Sequence, residues 1–230
     1  MDTGSLLTGL IVSVAIVVGA YFYFKNTGAS STQAPLVTSA VDGRKEINTQ
    51  TILPHSFDDQ KGITFSYSCW LRFDDFSYRY GKEKVIFVKG SPDLSVVCPG
   101  LFLDGNTNTL ITKLDTFGAQ EVIPIPNIPA KKWLHYALVV DQDSVDIYIN
   151  GTLRTHQTIV QLPRQNSGMV HVGVGGGFDG KIADLQYYNY FLTAQQVQSI
   201  MGSPPSPSQD DTTSTPTPPY FDISWWIGRA

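Results

Sequence analysis

Residues 133–159, WLHYALVVDQDSVDIYINGTLRTHQTI, constrain the fold more tightly than any other stretch. Over residues 133–140, Trp133, His135, Ala137 and Val139 alternate with Leu134, Tyr136, Leu138 and Val140. Successive side chains of a strand point to opposite faces, and here both faces are mostly apolar. This is the pattern of a central strand covered on both sides. Asp141-Gln142-Asp143-Ser144 is turn chemistry. Val145, Ile147 and Ile149 then alternate with Asp146 and Tyr148, and Asn150-Gly151 suits the positive φ angles of a type I′ hairpin. From Thr152 the chain is rich in β-branched residues and returns as a third antiparallel strand.

Residues 6–24, LLTGLIVSVAIVVGAYFYF, carry no charge. About 19 residues at ~1.5 Å each span ~28 Å, close to the ~30 Å hydrocarbon core of a bilayer. No basic region precedes the run, and bulky Tyr21 and Phe24 stand where a signal peptide needs small residues. Residues 1–25 are therefore expected to be a retained single-pass membrane anchor. Residues 26–40, rich in Ser, Thr, Gly and Ala, read as a polar linker. One folded domain is expected over 41–202. Residues 203–219 form a Pro/Ser/Thr linker with no core of its own, and 220–230 an aromatic tail.

Within the domain, residues 63–73 place Phe65, Tyr67, Cys69, Leu71 and Phe73 on one face and Ser66, Ser68, Trp70 and Arg72 on the other. The first set is core. Further strands are expected at 84–89, 94–104, 107–114, 121–125, 169–174 and 180–190, with a turn at Gly175-Gly176-Gly177. One short helix follows at 193–201. Thr193 and Gln196 make its capping box, Leu192 and Val197 a hydrophobic staple, and Gly202 with Pro204-Pro205 ends it. About a dozen short strands and one terminal helix define an all-β, two-sheet antiparallel sandwich.

Three segments carry a resemblance. WLHYALVVDQDSVDIYINGTL is similar to a family pattern of Trp, apolar strand and Tyr-x-Asn-Gly hairpin. FDGKIADLQYYNYFLTAQQVQSIM resembles that family's closing Gly-x-Ile strand, Tyr-Asn, Leu, Ser/Thr and helix. FSYSCWLRF resembles its early strand. The family is the laminin-G-like branch of the concanavalin A-like lectin/glucanase jelly rolls, and the resemblance covers roughly residues 41–202. The chain departs from the pattern at Ala183-Asp184 and Gln195-Gln196, where the family often carries acidic pairs.

Some relatives hydrolyse glycosides, which requires two carboxylates about 5–9.5 Å apart. The related glucanases carry Glu-x-Asp-x-x-Glu, a string this chain lacks. Its only glutamates are Glu46, Glu83 and Glu121, and Asp74/Asp75 and Asp141/Asp143 read as turn residues. Non-enzymatic function is expected. His55, His135, His156 and His171 lack metal-ligand spacing, and His135 belongs to the strand pattern. Relatives hold calcium with loop oxygens. Asp93, Asp104, Asp179 and Asp184 are the conceivable ligands, but no dense acidic loop appears, so no metal or cofactor is assigned. Cys69 and Cys98 read as buried free thiols, with a disulfide between them as the alternative. Asn150-Gly151-Thr152 matches a glycosylation acceptor, though its hairpin role accounts for it.

The candidate ligand residues are Trp70 and Arg72 on the strand and Phe76, Tyr78, Arg79 and Tyr80 in the following loop, where aromatic and Arg side chains suit contact surfaces. Tyr220, Phe221, Trp225 and Trp226 of the tail are candidates for binding a neighbouring protein subunit. The net charge of −4, without a basic cluster, argues against nucleic acid. The function expected is a non-catalytic recognition module on a membrane tether, binding a glycan or protein at a cell surface or virion internal membrane. The alternative is a scaffold tying a membrane to an overlying shell, since the layout is similar to single-anchor minor virion proteins of large DNA viruses. A glycoside hydrolase is the remote alternative.

Overall fold

The structure is a computed structural model that describes residues 32–54, 56–59 and 62–205. The expected anchor, the aromatic tail, His55, and most of the linker 203–219 lie outside these residues. Among the described residues no helix is long and apolar enough to cross a membrane.

In chain order the strands are β1 (Gln33–Val37), β2 (Val41–Asp42), β3 (Ile47–Thr49), β4 (Phe57–Asp59), β5 (Gly62–Asp75), β6 (Lys84–Gly90) and β7 (Val97–Leu103). There follow β8 (Leu110–Leu114), β9 (Glu121–Ile125), β10 (Trp133–Asp141), β11 (Ser144–Ile149), β12 (Thr152–Thr158), β13 (Met169–Val172) and β14 (Asp179–Tyr188), then helix α1 (Ala194–Met201). One sheet runs β1-β14-β5-β10-β11-β12, with β2 on β14 and β4 on β5. The other runs β3-β13-β6-β7-β8-β9. Every pairing is antiparallel.

β10 lies in the interior of the first sheet, between β5 and β11, as its two apolar faces require. Leu134, Tyr136, Leu138 and Val140 join Phe65, Tyr67, Cys69, Leu71 and Phe73 in the core between the sheets. Ala137 and Val139 face outward, where Tyr148, Tyr188, Leu192 and Val197 cover them beneath α1. Burying one such large side chain stabilises by about 1.5–3 kcal/mol, so α1 is held by its apolar stripe. Its first turn is closed by the expected box: the Thr193 hydroxyl accepts from the Gln196 amide, and the Gln196 carboxamide accepts from the Thr193 amide. At the β11–β12 hairpin, Asn150 has φ 49° and Gly151 φ 71°, as a type I′ turn demands. A side chain at 151 would also press on the Met201 sulfur at 3.0 Å, so glycine lets the helix close onto the hairpin.

Several boundaries differ from expectation. Residues 33–37, expected within a polar linker, form β1 and pair with β14, with Ala34 and Val37 buried. The segment is only five residues long and is interrupted by Pro35, where the register shifts, so it shows no strand pattern along the chain; its place comes from pairing with β14. The strand expected from 94 begins at Val97, because Asp93 accepts from the Ser95 amide and hydroxyl in a turn and Leu94 takes φ 61°. That expected from 107 begins at Leu110, because the Asp104 carboxylate accepts from the Asn106 and Thr107 amides. The expected glycine turn includes a short 3-10 segment over Val174–Gly176. β14 is interrupted by a bulge at Asp184, φ 48°.

Strand register sorts the loops between two ends of the sandwich. Gln33 and Ser66 both pair with Tyr188, Thr64 with Asp141, and Ser144 with Thr158. Gly90 pairs with Val97 and Met169, and Leu114 with Glu121. Loops 50–54, 91–96, 115–120, 159–168 and 189–192 therefore share the end at which residue 32 enters the fold, here termed the entry end. Loops 43–46, 76–83, 104–109, 126–132 and 173–178 form the distal end.

Candidate functional site

The six strand and loop residues expected to bind ligand do not form one cluster. Trp70 and Arg72 stand on the outer face of the first sheet, whereas Phe76, Tyr78, Arg79 and Tyr80 belong to the distal loop beyond β5. Trp70 is only 8% exposed, and its ring meets that of His135 edge-on with centroids 5.1 Å apart. Arg72 Nε lies 3.0 Å from the Asp74 carboxylate. Further along that face, the Ser66 hydroxyl donates to the Tyr190 carbonyl and accepts from the Leu192 amide, each at 2.9 Å, stitching the chain leading to α1 onto the sheet. Packing therefore uses most of this surface.

The distal loop is built differently. Phe76 stacks on Phe73 at 5.6 Å and anchors the loop to the core. Asp75 accepts from the Ser77 hydroxyl and amide, both at 2.7 Å, and these bonds hold its carboxyl below the usual range. The Tyr78 hydroxyl donates to the Gly176 carbonyl at 3.0 Å. The Arg44 guanidinium sits 4.9 Å over the Tyr78 ring and pairs with Asp179 at 2.7 Å. Arg79, at φ 51°, points its guanidinium toward the Gly177 carbonyl at 3.5 Å. Tyr80 is left 69% exposed. The result is an aromatic and guanidinium platform: Tyr78 is fixed, Arg79 half-covered, and Tyr80 free to contact a ligand. Arg44 and the glycine loop 173–177 were not expected here. The glycine run marked a turn, but nothing along the chain shows what packs on it.

Cavities open beside the core at both ends of the sandwich among the described residues. One of about 220 Å³ opens beside the distal end, lined by residues 125–129 with Leu134, Ile149, Leu153 and Arg154. Another, of about 340 Å³, opens between the sheets at the entry end, with Phe65, Tyr67, Tyr187, Lys89, Cys98 and Met169 in its walls. The Lys89 ammonium donates to the carbonyls of Asn166 and Gly168 at its rim.

Ser68 Oγ lies 2.9 Å from His135 Nε2, a spacing also found between a nucleophile and its base. Both residues are buried, and His135 Nδ1 has no hydrogen-bond partner, so no carboxylate orients the ring. Burial pushes its imidazole down to about 4. The pair is a buried cross-strand contact between β5 and β10, without access for a substrate. Asn150 Oδ1 accepts from the His135 amide at 2.9 Å, consistent with a hairpin role for that residue.

Cys69 and Cys98 are buried free thiols, as expected. Burial raises both, Cys98 to about 12. The four aspartates considered for calcium are dispersed: Asp93 and Asp104 close their own turns, Asp179 holds Arg44, and Asp184 sits at the bulge. Among the described residues no group of three or more His, Cys, Asp or Glu could hold a metal ion.

A family model described as the concanavalin A-like lectin/glucanases superfamily, of laminin G type, matches residues 45–198. No curated protein matches the chain in sequence. Among solved structures, the chain is similar to the receptor binding domain of botulinum neurotoxin D, with TM-score 0.54 and 14% identity, covering 74% of this chain and 43% of that one. It is similar to the serotype D ligand binding domain in complex with N-acetylneuraminic acid, with TM-score 0.53 and 13% identity over 75% and 42% of the two chains. A third is the binding domain of botulinum neurotoxin DC in complex with rat synaptotagmin II, with TM-score 0.51 and 15% identity over 60% and 35%. The chain spans less than half the length of these domains, and at such identities the likeness is one of fold.

Proposed function

The chain belongs to the concanavalin A-like lectin/glucanase superfamily through a domain of laminin G type, and on that footing we propose that it is a non-catalytic recognition module, anchored in a membrane by residues 6–24, that binds a glycan or protein with its distal loops. The observation that carries this reading is Tyr80, 69% exposed beside a Tyr78 that is pinned by the Gly176 carbonyl and the Arg44 guanidinium. A fixed platform presenting an exposed Tyr beside a half-covered Arg reduces the ordering cost of binding and supplies the residue types enriched at contact surfaces. Proteins of this fold offer support by analogy, since one is described with a bound sialic acid and another with a bound protein. Among the described residues, the Ser68–His135 pair is buried and the aspartates are scattered, which supports a non-catalytic role.

The domain reaches the cell surface or an internal virion membrane on its anchor, and the tail residues Tyr220, Phe221, Trp225 and Trp226 bind a neighbouring subunit. That tail favours the second reading, a scaffold between a membrane and a protein shell. A glycan array probed with the full chain in detergent separates the two. Selective binding that Tyr80→Ala or Arg79→Gln abolishes supports recognition by the distal loop. Binding that both variants retain removes the loop from the site. No glycan binding, with capture of shell subunits that Trp225→Ala and Trp226→Ala abolish, favours the scaffold.

A further inference from the structure

The exposed apolar side chains of the described residues are concentrated at one end of the sandwich. Ile52 is 91% exposed, Val160 90% and Phe117 72%; Leu162 and Phe191 stand with them on entry-end loops, and Met169 opens β13 at the same end. Tyr80 and Leu153 are the large apolar side chains exposed toward the distal end. Two of the entry-end loops are joined: the Phe117 amide donates to the Leu162 carbonyl at 3.1 Å, and Thr116 bridges to Pro163. Large side chains gathered on one surface mark a contact region, whereas single exposed ones need no explanation.

The chain enters the fold at this same end. The Thr32 carbonyl accepts from the Asn189 amide at 3.1 Å, and Gln33 pairs with Tyr188. Because residues 33–37 are a strand, only residues 25–31 separate the uncharged run ending at Phe24 from the sandwich. Fully extended, those residues span ~25 Å, about half the reach of the 15-residue linker expected from composition. The tether thus keeps the entry end, and not the distal end, within ~25 Å of the end of the apolar run.

We propose that the entry-end loops lie in the headgroup region of the bilayer that holds residues 6–24, with Ile52, Phe117, Val160 and Leu162 as the contacting side chains. This rests on the reading of residues 6–24 as an anchor. Of the carboxylates at this end, Asp93 accepts from Ser95, Asp115 from the Val97 amide and the Gln120 side chain, and Glu121 from the Gln157 side chain, while Asp143 is exposed in the β10–β11 turn and offers no attraction to an anionic headgroup. The contact is therefore apolar and interfacial, of the kind that buries side chains about 5–10 Å into the headgroup and acyl boundary, and it needs no anionic lipid. It also turns Tyr80 and its platform away from the membrane, toward a ligand in solution.

The test uses the full chain reconstituted in phosphatidylcholine vesicles, with Phe117→Cys, Val160→Cys or Tyr80→Cys labelled by an environment-sensitive thiol dye. The native thiols are buried and stay unlabelled. Brominated phosphatidylcholine should quench the dye at 117 and 160 roughly threefold more than at 80, and high salt should not reverse it. Vesicle flotation distinguishes the two levels of failure. Chain that floats but is quenched equally weakly at all three positions overturns the loop contact and leaves the anchor standing. Chain that does not float overturns the anchor and the contact together. Should Phe117→Cys fail to fold, Val160→Cys reads the same surface from a position that packs on nothing.

Discussion

Ser68 Oγ and His135 Nε2 meet at 2.9 Å across adjacent strands, with both residues sealed from solvent and His135 Nδ1 unpartnered. A neutral imidazole can satisfy one side of this site through Ser68 and leave one nitrogen without a bond. A protonated one would bury a charge with no counter-ion, which is why burial pushes its pKa down to about 4.

Stability should therefore depend on acid in a defined window. In the unfolded chain the imidazole titrates near ~6.5. Between pH 6.5 and 4 the unfolded state binds more protons than the folded state, so stability is full above pH 6.5 and falls as pH drops toward 4. The loss should approach about 3 kcal/mol. Urea unfolding at pH 7 and pH 4.5 measures it. In His135→Gln the difference between the two pH values should shrink; an unchanged difference would assign the acid sensitivity to other groups.

The same burial separates this pair from catalysis. Neither the full chain nor Ser68→Ala should release reducing ends from β-glucans, chitin or algal polysaccharides. Sustained turnover that Ser68→Ala abolishes would overturn the non-catalytic reading.

Cys69 and Cys98 are buried, and desolvation raises both thiols. Ellman's reagent should find no reactive thiol in the native chain at pH 8 and both after denaturation. Rapid reaction of one thiol in the folded chain would mean that the entry-end cavity, which Cys98 lines, admits the reagent.

β1 should contribute measurably to the fold. A chain beginning at residue 41 loses the buried Ala34 and Val37 and bares the edge of β14. Compared with one beginning at residue 32, it should be less stable by about 2–4 kcal/mol. Equal denaturation midpoints would return residues 33–37 to the linker.

The cap of α1 offers a local test. Thr193→Ala removes the hydroxyl that accepts from the Gln196 amide and should cost about 1 kcal/mol. Because α1 covers Ala137 and Val139, its loosening should be seen as faster amide exchange in β10 as well as in the helix.

Much of the fold was legible along the chain because it is local. The alternation in residues 133–149 placed β10 in the sheet interior and assigned its two faces. Asn150-Gly151 identified the hairpin by a φ requirement few residue pairs meet. Thr193, Gln196 and Val197 marked the helix by contacts three or four residues apart. In each case the partners are sequence neighbours, so spacing carries the geometry. Less of the candidate site could be read this way. Composition grouped Trp70 with Tyr78, Arg79 and Tyr80, yet register puts Trp70 on an outer sheet face against His135 and the others in a distal loop. Arg44 and Gly176, which fix Tyr78, come from two remote segments.

By itself the sequence determined that this chain forms an antiparallel sandwich closed by one capped helix, since strand period, turn dihedrals and capping are properties of neighbouring residues. Only the tertiary structure decided that residues 33–37 belong to the sheet, that Ser68 and His135 are sealed together, and that the exposed apolar loops share an end with the point where the chain enters. Those facts depend on which distant strands pair and in what register. Register is a compromise among all the side chains of two faces at once, and no local window of sequence contains it.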